Sequence, residues 1–246
     1  MRRPWSRPRT APSLIAMTIT LITGANKGLG HEAARRLIAA GHDVWAAARD
    51  EQRGRAAAEA LGARFVQLDV TDDASVAAAA ERVGAAGGLD VLVNNAGIVG
   101  ARTSVPETTA DHVAAVLATN VLGIVRVTNA FLPLLERSAN PVVVNVSSGM
   151  GSFGITTDPE RLESTLVGLA YPASKAAVTM LTTQYAKALP QMRINAVDPG
   201  YTATDLNGRS GTQTVAEGTD AIVRMAQLDA SGPTGAFVDR HGVVPW

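Results

Sequence analysis

Tyr171 and Lys175 stand four residues apart in AYPASKAAV, and Ser148, preceded by Ser147, lies 23 residues upstream of the tyrosine. On a helix that spacing puts a phenol and an ammonium on one face. An ammonium beside a phenol favours the phenolate, so the Tyr171 pKa is expected to fall from its ordinary value of about 10. A serine hydroxyl within reach could hold a substrate oxygen by hydrogen bonding while a proton moves. Pro172 suits the first turn of such a helix, where its missing N–H is harmless. Tyr-x-x-x-Lys also occurs on ordinary amphipathic faces, but composition separates this instance. The chain has 19 arginines and only three lysines, Lys27, Lys175 and Lys187. A chain so biased toward the planar guanidinium keeps an ammonium where a compact cation is needed.

A second constellation is rich in glycine. The apolar run TITLIT leads into TGANKGLG, with Gly24, Gly28 and Gly30 opening a segment of helical period. Such a turn lets an anion approach a helix N-terminus, where free N–H groups and the helix dipole favour it. The spacing is G-x-x-x-G-x-G, and no Lys-Ser/Thr pair follows the last glycine, which disfavours an NTPase loop. Further on, Asp69 and then Asn94, Asn95, Ala96 and Gly97 end later apolar runs. Asparagines at such places also serve as plain turn residues.

These residues need a frame. Residues 18–23, 43–48, 64–68, 90–95, 142–147 and 193–197 are short apolar runs rich in β-branched residues and are expected to be buried strands, with a seventh near 236–239. Segments 29–40, 51–61, 74–85, a long pair over 111–138, and 171–188 have helical period. Strict alternation of strand and helix implies right-handed crossovers: one doubly wound α/β domain of the Rossmann type, with a parallel sheet of about seven strands over residues 17–246. Ligands bind at the carboxyl edge of such a sheet, where all the residues named above fall. Strand alternation lets only one of Ser147 and Ser148 face that cleft.

Composition narrows the function classes. Basic and acidic residues balance at 22 each, so no global field argues for nucleic acid or an anionic membrane. Residues 1–16 hold four arginines, three prolines and no acid. They are expected to be a disordered extension, and Met17 is an alternative start. A secretory signal is disfavoured because the apolar stretch runs straight into the glycine turn with no cleavage site between. The remaining body carries about four net negative charges by that count. Cysteine is absent, which suits a reducing cytoplasm. No uninterrupted run approaches a membrane span. His31, His42, His112 and His241 are scattered without ligand spacing, so no metal is expected.

In order and spacing, TGANKGLG, Asp69, NNAG, Asn120, Ser148, Tyr171-Pro-Ala-Ser-Lys175 and Pro199-Gly200 together resemble the short-chain dehydrogenase/reductase family over residues 17–246. The ending GPTGAFVDRHGVVPW is similar to its NADPH-dependent carbonyl reductase branch. The resemblance implies reduction of a ketone or aldehyde by hydride transfer, with Tyr171 as proton donor, Lys175 also on the nicotinamide ribose, and Asn120 supporting a water chain to the lysine. In the family pattern the catalytic serine lies three residues before a glycine, here Gly151, which selects Ser148 over Ser147. The implied cofactor contacts are Gly24, Asn26, Lys27, Gly28, Leu29, Gly30, Arg49, Asp69, Val70, Asn95, Ala96, Gly97, Tyr171, Lys175, Pro199 and Gly200, with Thr204 favoured over Thr202 beside the carboxamide. Arg49 at the end of the second strand and Lys27 in the turn point to NADP(H), and Asp50 is the contrary sign.

Against the family's commoner members, residues 155–168 are an insertion, expected to form a short helix starting at Asp158-Pro159-Glu160. The resemblance leaves homo-oligomerisation open, because larger insertions here cover a pairing surface. Residues 210–228 imply a modest substrate lid, and Met150, Phe153, Ile155 and Tyr201 are candidates for an apolar pocket or for core. An NAD-linked alcohol dehydrogenase of the same family and a silent NADP-sensing regulator remain alternatives.

Overall fold

The structure, a computed structural model, describes residues 17–246, so the expected extension at residues 1–16 lies outside the described residues. The chain alternates as expected: β1 (Ile19–Thr23), α1 (Gly28–Ala39), β2 (Asp43–Ala48), α2 (Glu51–Leu61), β3 (Arg64–Gln67), α3 (Asp73–Ala85) and β4 (Val91–Asn94) build the first half. The second half comprises α4 (Ala110–Leu117), α5 (Gly123–Leu135), β5 (Val142–Val146), α6 (Phe153–Thr156), α7 (Ala170–Ala188), β6 (Arg193–Val197), α8 (Val215–Gly218), α9 (Asp220–Ala226) and β7 (Phe237–Val238). All seven strands pair in parallel in the order β3-β2-β1-β4-β5-β6-β7. The order reverses between β1 and β4, which opens a crevice at their carboxyl ends.

Strand alternation divides the core into two layers. Ile22, Val44, Val93 and Val144 pack toward α1 and α9, while Leu21, Trp45, Leu92 and Val143 pack toward α3 and α5. Every residue of β4 and β5 is buried, which is why those runs are apolar but for one asparagine each rather than alternating. Each fully buried Val or Leu contributes roughly 1.5–3 kcal/mol.

Three expectations need correction. The long helical pair expected over 111–138 is one continuous stretch, Ala110–Leu135, which by length and composition alone is long and apolar enough to cross a membrane. Here Val127, Phe131 and Leu135 are fully buried in the core. It is widened by a π turn at Ala118–Leu122. Second, no helix starts at Asp158. Its carboxylate accepts the Glu160 N–H (3.0 Å) and its carbonyl accepts Arg161 N–H (3.0 Å), a local turn that competes with helix, and a 3-10 turn follows at Leu162–Thr165. Third, α9, counted in the substrate lid, is core: Ala221, Ile222 and Met225 are buried against the sheet. Of the expected lid, residues 210–217 remain outside the core. Ile155 likewise joins a small core cluster with Ala196, Phe237 and Val244, while Phe153 is exposed.

Candidate active site

The glycine turn is shaped from behind by β4. Thr23 Oγ1 accepts the backbone N–H groups of Asn95 (2.9 Å) and Ala96 (3.0 Å). Asn95 Nδ2 donates to the carbonyls of Thr23 (2.8 Å) and Gly24 (3.2 Å). Gly24 has φ +65°, and a Cβ there would stand 3.1 Å from Ala96 Cα. A Cβ on Gly30 would meet Asn95 Nδ2 at 2.5 Å and Gly24 O at 2.7 Å. Backbone and helix are thus drawn together as closely as glycine allows. Helix α1 begins with neither a side-chain cap nor an acidic residue in its first turn, so its leading N–H groups face the crevice available to an anion. These features fit a dinucleotide pyrophosphate.

Not every residue expected at the cofactor offers its side chain. The Asn95 amide is committed to the turn. Leu29 packs on the core, and Val70 is buried against Gly123 with its carbonyl accepting Arg126 Nη1 (2.7 Å). Only the backbone of Leu29 and Val70 can serve a ligand. Thr202 is buried and donates to Pro199 O (2.9 Å), whereas Thr204 lies beside Gly28 across the crevice. Asp69 Oδ1 accepts both the N–H (2.9 Å) and hydroxyl (2.7 Å) of Thr71. Burial raises its pKa, but the two Thr71 bonds and Arg49 bring it below the usual carboxylate value.

The two cations near the dinucleotide end are both exposed. Arg49 Nε lies 3.9 Å from Asp69, and Lys27 Nζ pairs with Asp205 (3.1 Å) on the far side of the crevice. Asp50 is the N-cap of α2, accepting Arg53 N–H (2.9 Å) and Nε (3.0 Å). That carboxylate caps a helix.

At the other end of the crevice, α7 brings Tyr171, Ser174 and Lys175 against the turn after β5. Ser147 Oγ donates to Lys175 O (3.0 Å) and is buried, so it braces the helix. Ser148 is partly exposed. Its Oγ accepts Met150 N–H (3.2 Å), and its hydroxyl is near enough to the Tyr171 phenol to help lower that pKa. Alternation therefore separates the two serines, with Ser148 toward the tyrosine. A Cβ on Gly151 would stand 2.4 Å from the Lys175 carbonyl carbon, so only glycine permits this approach of turn and helix. Lys175 is buried and donates from Nζ to Val146 O (2.8 Å), with Nζ 5.5 Å from the centre of the Tyr171 ring. Gly97 lines the same point: a Cβ there would stand at contact distance from Asn120 Oδ1 (3.4 Å) and Lys175 Nζ (3.7 Å).

Asn120 occupies the π turn. It accepts Ile98 N–H (2.8 Å) and donates to Ile98 O (2.9 Å) and Ser174 Oγ (3.0 Å), while Ser174 donates to Tyr171 O (2.7 Å). The chain Ile98–Asn120–Ser174 fixes the start of α7, and the widened turn is what aims Asn120 inward.

The expected lowering of the phenol pKa is not found among the protein's own groups. Burial pushes Tyr171 up to about 12, Ser148 opposing and Asp198 adding to the rise. Burial brings Lys175 down to about 8, with the Asp198 charge opposing. The lysine supplies less positive charge than its type suggests because it too is enclosed. Asn145, Ser174 and Asp198, buried polar residues at or behind this edge, were not singled out in the sequence, whereas Asn94 was noted with Asn95 at the end of its strand. For the asparagines the signal was there, one polar residue in each of two otherwise apolar strands. Asn94 Nδ2 donates to Asn145 Oδ1 (2.9 Å), and Asn145 Nδ2 to Thr182 Oγ1 (2.9 Å). Among the described residues no cluster of His, Asp and Glu could hold a metal ion.

A parallel sheet with a glycine cradle and a Ser-Tyr-Lys set at its carboxyl edge belongs to the dinucleotide-dependent oxidoreductases. Residues 18–214 match the family model described as short chain dehydrogenase, and the chain belongs to that family. It is 35% identical to carbonyl reductase [NADPH] 1 of Bos taurus, covering 93% of this chain and 98% of that protein. It is 34% identical to (+)-neomenthol dehydrogenase of Arabidopsis thaliana, covering 91% and 96%. The crystal structure of NADPH-bound carbonyl reductase from chicken fatty liver superimposes with a TM-score of 0.83 at 30% identity, covering 94% of this chain and 99% of that one.

Proposed function

We propose that this oxidoreductase reduces a ketone or aldehyde to an alcohol with NADPH in the cytoplasm. The convergence of Ser148, Tyr171 and Lys175 on one point of the crevice carries the reading. When bound, the nicotinamide supplies the hydride that the carbonyl carbon receives. Ser148 Oγ donates a hydrogen bond to the carbonyl oxygen and steadies charge developing there. Tyr171 donates the proton to the same oxygen. Its raised pKa means that it is protonated at neutrality, the state a proton donor requires. Lys175, held by Val146 O, is the cation available to a ribose and to the phenolate charge that develops on Tyr171. Arg49 and Lys27 would hold the additional phosphate, since Asp50 is engaged by Arg53 and does not compete as a ribose acceptor. The segment leading into α7 exposes Leu162, Leu166, Val167 and Leu169, which suits an apolar carbonyl compound.

Initial rates with NADPH and NADH over a panel of ketones, diketones and aldehydes test the reading. Turnover with NADPH, abolished by Tyr171→Phe while NADPH still binds, is the expected result. Dinucleotide binding without turnover would indicate a sensor, and preference for NAD with alcohols would indicate the oxidative enzyme.

A further inference from the structure

Among the described residues, Lys175 and Asp198 are the only acidic or basic side chains that are buried, and both lie at this site without forming an ion pair with each other. Asp198 follows β6 directly, and its backbone N–H donates to Val238 O (2.8 Å). Its Oδ1 accepts the N–H of Gly200 (2.9 Å), in the turn beside the nicotinamide end of the crevice. Its Oδ2 faces Gly149, the residue after Ser148, and stands 3.0 Å from where a Cβ on that glycine would be. Glu163 Oε1, reaching in from the inserted stretch, stands 3.2 Å from the same point. Two carboxylates therefore close on the backbone next to the serine, within about 6 Å of each other by those two distances.

Resting on the carbonyl reduction proposed above, we propose that Asp198 is a positioning residue for that reaction. It joins the Ser148–Gly149 turn to the Pro199–Gly200 turn, its charge acts on Tyr171 and Lys175, and Glu163 tunes it. The groups facing Asp198 are Tyr171 and Lys175 from α7, Glu163 from the insertion with Arg161 Nε 3.8 Å away, and Asp239 after β7. Burial raises the Asp198 pKa, the N–H groups of Gly200 and Gly149 lower it, and Glu163 and Asp239 raise it. When ionised, Asp198 favours protonated Tyr171 and charged Lys175, so it keeps the proton donor loaded.

The variants Asp198→Asn, Glu163→Gln and the double variant test this. Asparagine retains one acceptor for Gly200 but loses the charge and the second acceptor. The expected loss in kcat is about tenfold, the equivalent of one hydrogen bond, with little change in KM for NADPH. The alkaline limb of kcat/KM should move to lower pH, and so should the tyrosinate absorbance of Tyr171, read as the difference between each protein and the same protein carrying Tyr171→Phe. Glu163→Gln should move the acidic inflection to lower pH and raise the urea midpoint at neutral pH. Both effects should vanish in the Asp198→Asn background. A folded Asp198→Asn protein with unmoved tyrosinate titration overturns the proposal. So does a Glu163→Gln effect that persists without the Asp198 carboxylate. If Asp198→Asn does not fold, an unchanged or lower urea midpoint for Glu163→Gln alone overturns it. Tyrosinate shifts as expected, with no turnover of any carbonyl by the unsubstituted protein, would refute the reduction and leave the coupling standing.

Discussion

Replacing Lys175 by methionine sets the chemistry of the site against the stability of the fold. The Lys175 ammonium is almost fully enclosed, and burial brings its pKa from the ordinary 10.5 to about 8, the Asp198 charge opposing. In the unfolded chain the same group titrates near its ordinary value. Between those two values the unfolded chain holds more protons than the folded one, so stability rises with pH across that window. Below it the fold carries a constant penalty of about 3 kcal/mol, roughly 2.5 pH units at 1.36 kcal/mol each. From about pH 7 to about pH 10, the protein should therefore gain roughly 2–3 kcal/mol from this one group. Lys175→Met has no such group and gains nothing from it. Tyr171, pushed up to about 12 by burial, acts with the opposite sign. Its contribution is fully present below about pH 10 and is lost as pH rises toward 12, so the two windows scarcely overlap. Urea unfolding at the two pH values, followed by tryptophan fluorescence with Trp45 in the core as reporter, gives the double difference between the proteins. Turnover of the variant should fall by about 10²–10⁴. An identical pH dependence of stability in both proteins would refute the enclosure of the ammonium and the reasoning built on it.

The two serines should part in function. Ser148→Ala is expected to lower kcat by about 10²–10³ with stability unchanged, whereas Ser147→Ala should cost about 1 kcal/mol in urea unfolding by removing its hydrogen bond to Lys175 O. Equal kinetic losses from both would reverse that assignment. For cofactor choice, Arg49→Asp and Lys27→Ala should each lower the ratio of kcat/KM for NADPH over NADH by about tenfold or more, and an unmoved ratio would reject the phosphate contact.

The legible part of this protein was the part governed by local pattern. Short, largely apolar runs marked β1, β2, β4, β5 and β6 because strands buried on both faces carry no polar alternation. The glycine turn and Tyr171–Lys175 were legible because a close backbone approach and a one-face pairing each leave a fixed spacing. The structure places Ser148, not Ser147, toward Tyr171, as the spacing to Gly151 implied. What was illegible depends on neighbours distant in sequence. Nothing near Tyr171 announces that enclosure outweighs the lysine's charge. Nothing near Asp198 announces that Glu163 of the insertion meets it over Gly149. Asp158 looked like a helix start and instead closed a turn on Glu160, a contest between two local hydrogen-bonding schemes that composition does not decide. Asn95 and Thr202 were assigned to a ligand by position, while their side chains are occupied holding the turns in shape.

The clasp of Thr23 and Asn95 on the glycine turn also bears on thermodynamics. A loop that must order around its ligand subtracts that ordering entropy from affinity, whereas this turn is already fixed by five hydrogen bonds from the end of the neighbouring strand or to it. The cradle is preorganised, and its entropic cost falls on folding rather than on association. Slackening β4 should then show first as faster release of the dinucleotide, well before the protein as a whole loses its fold.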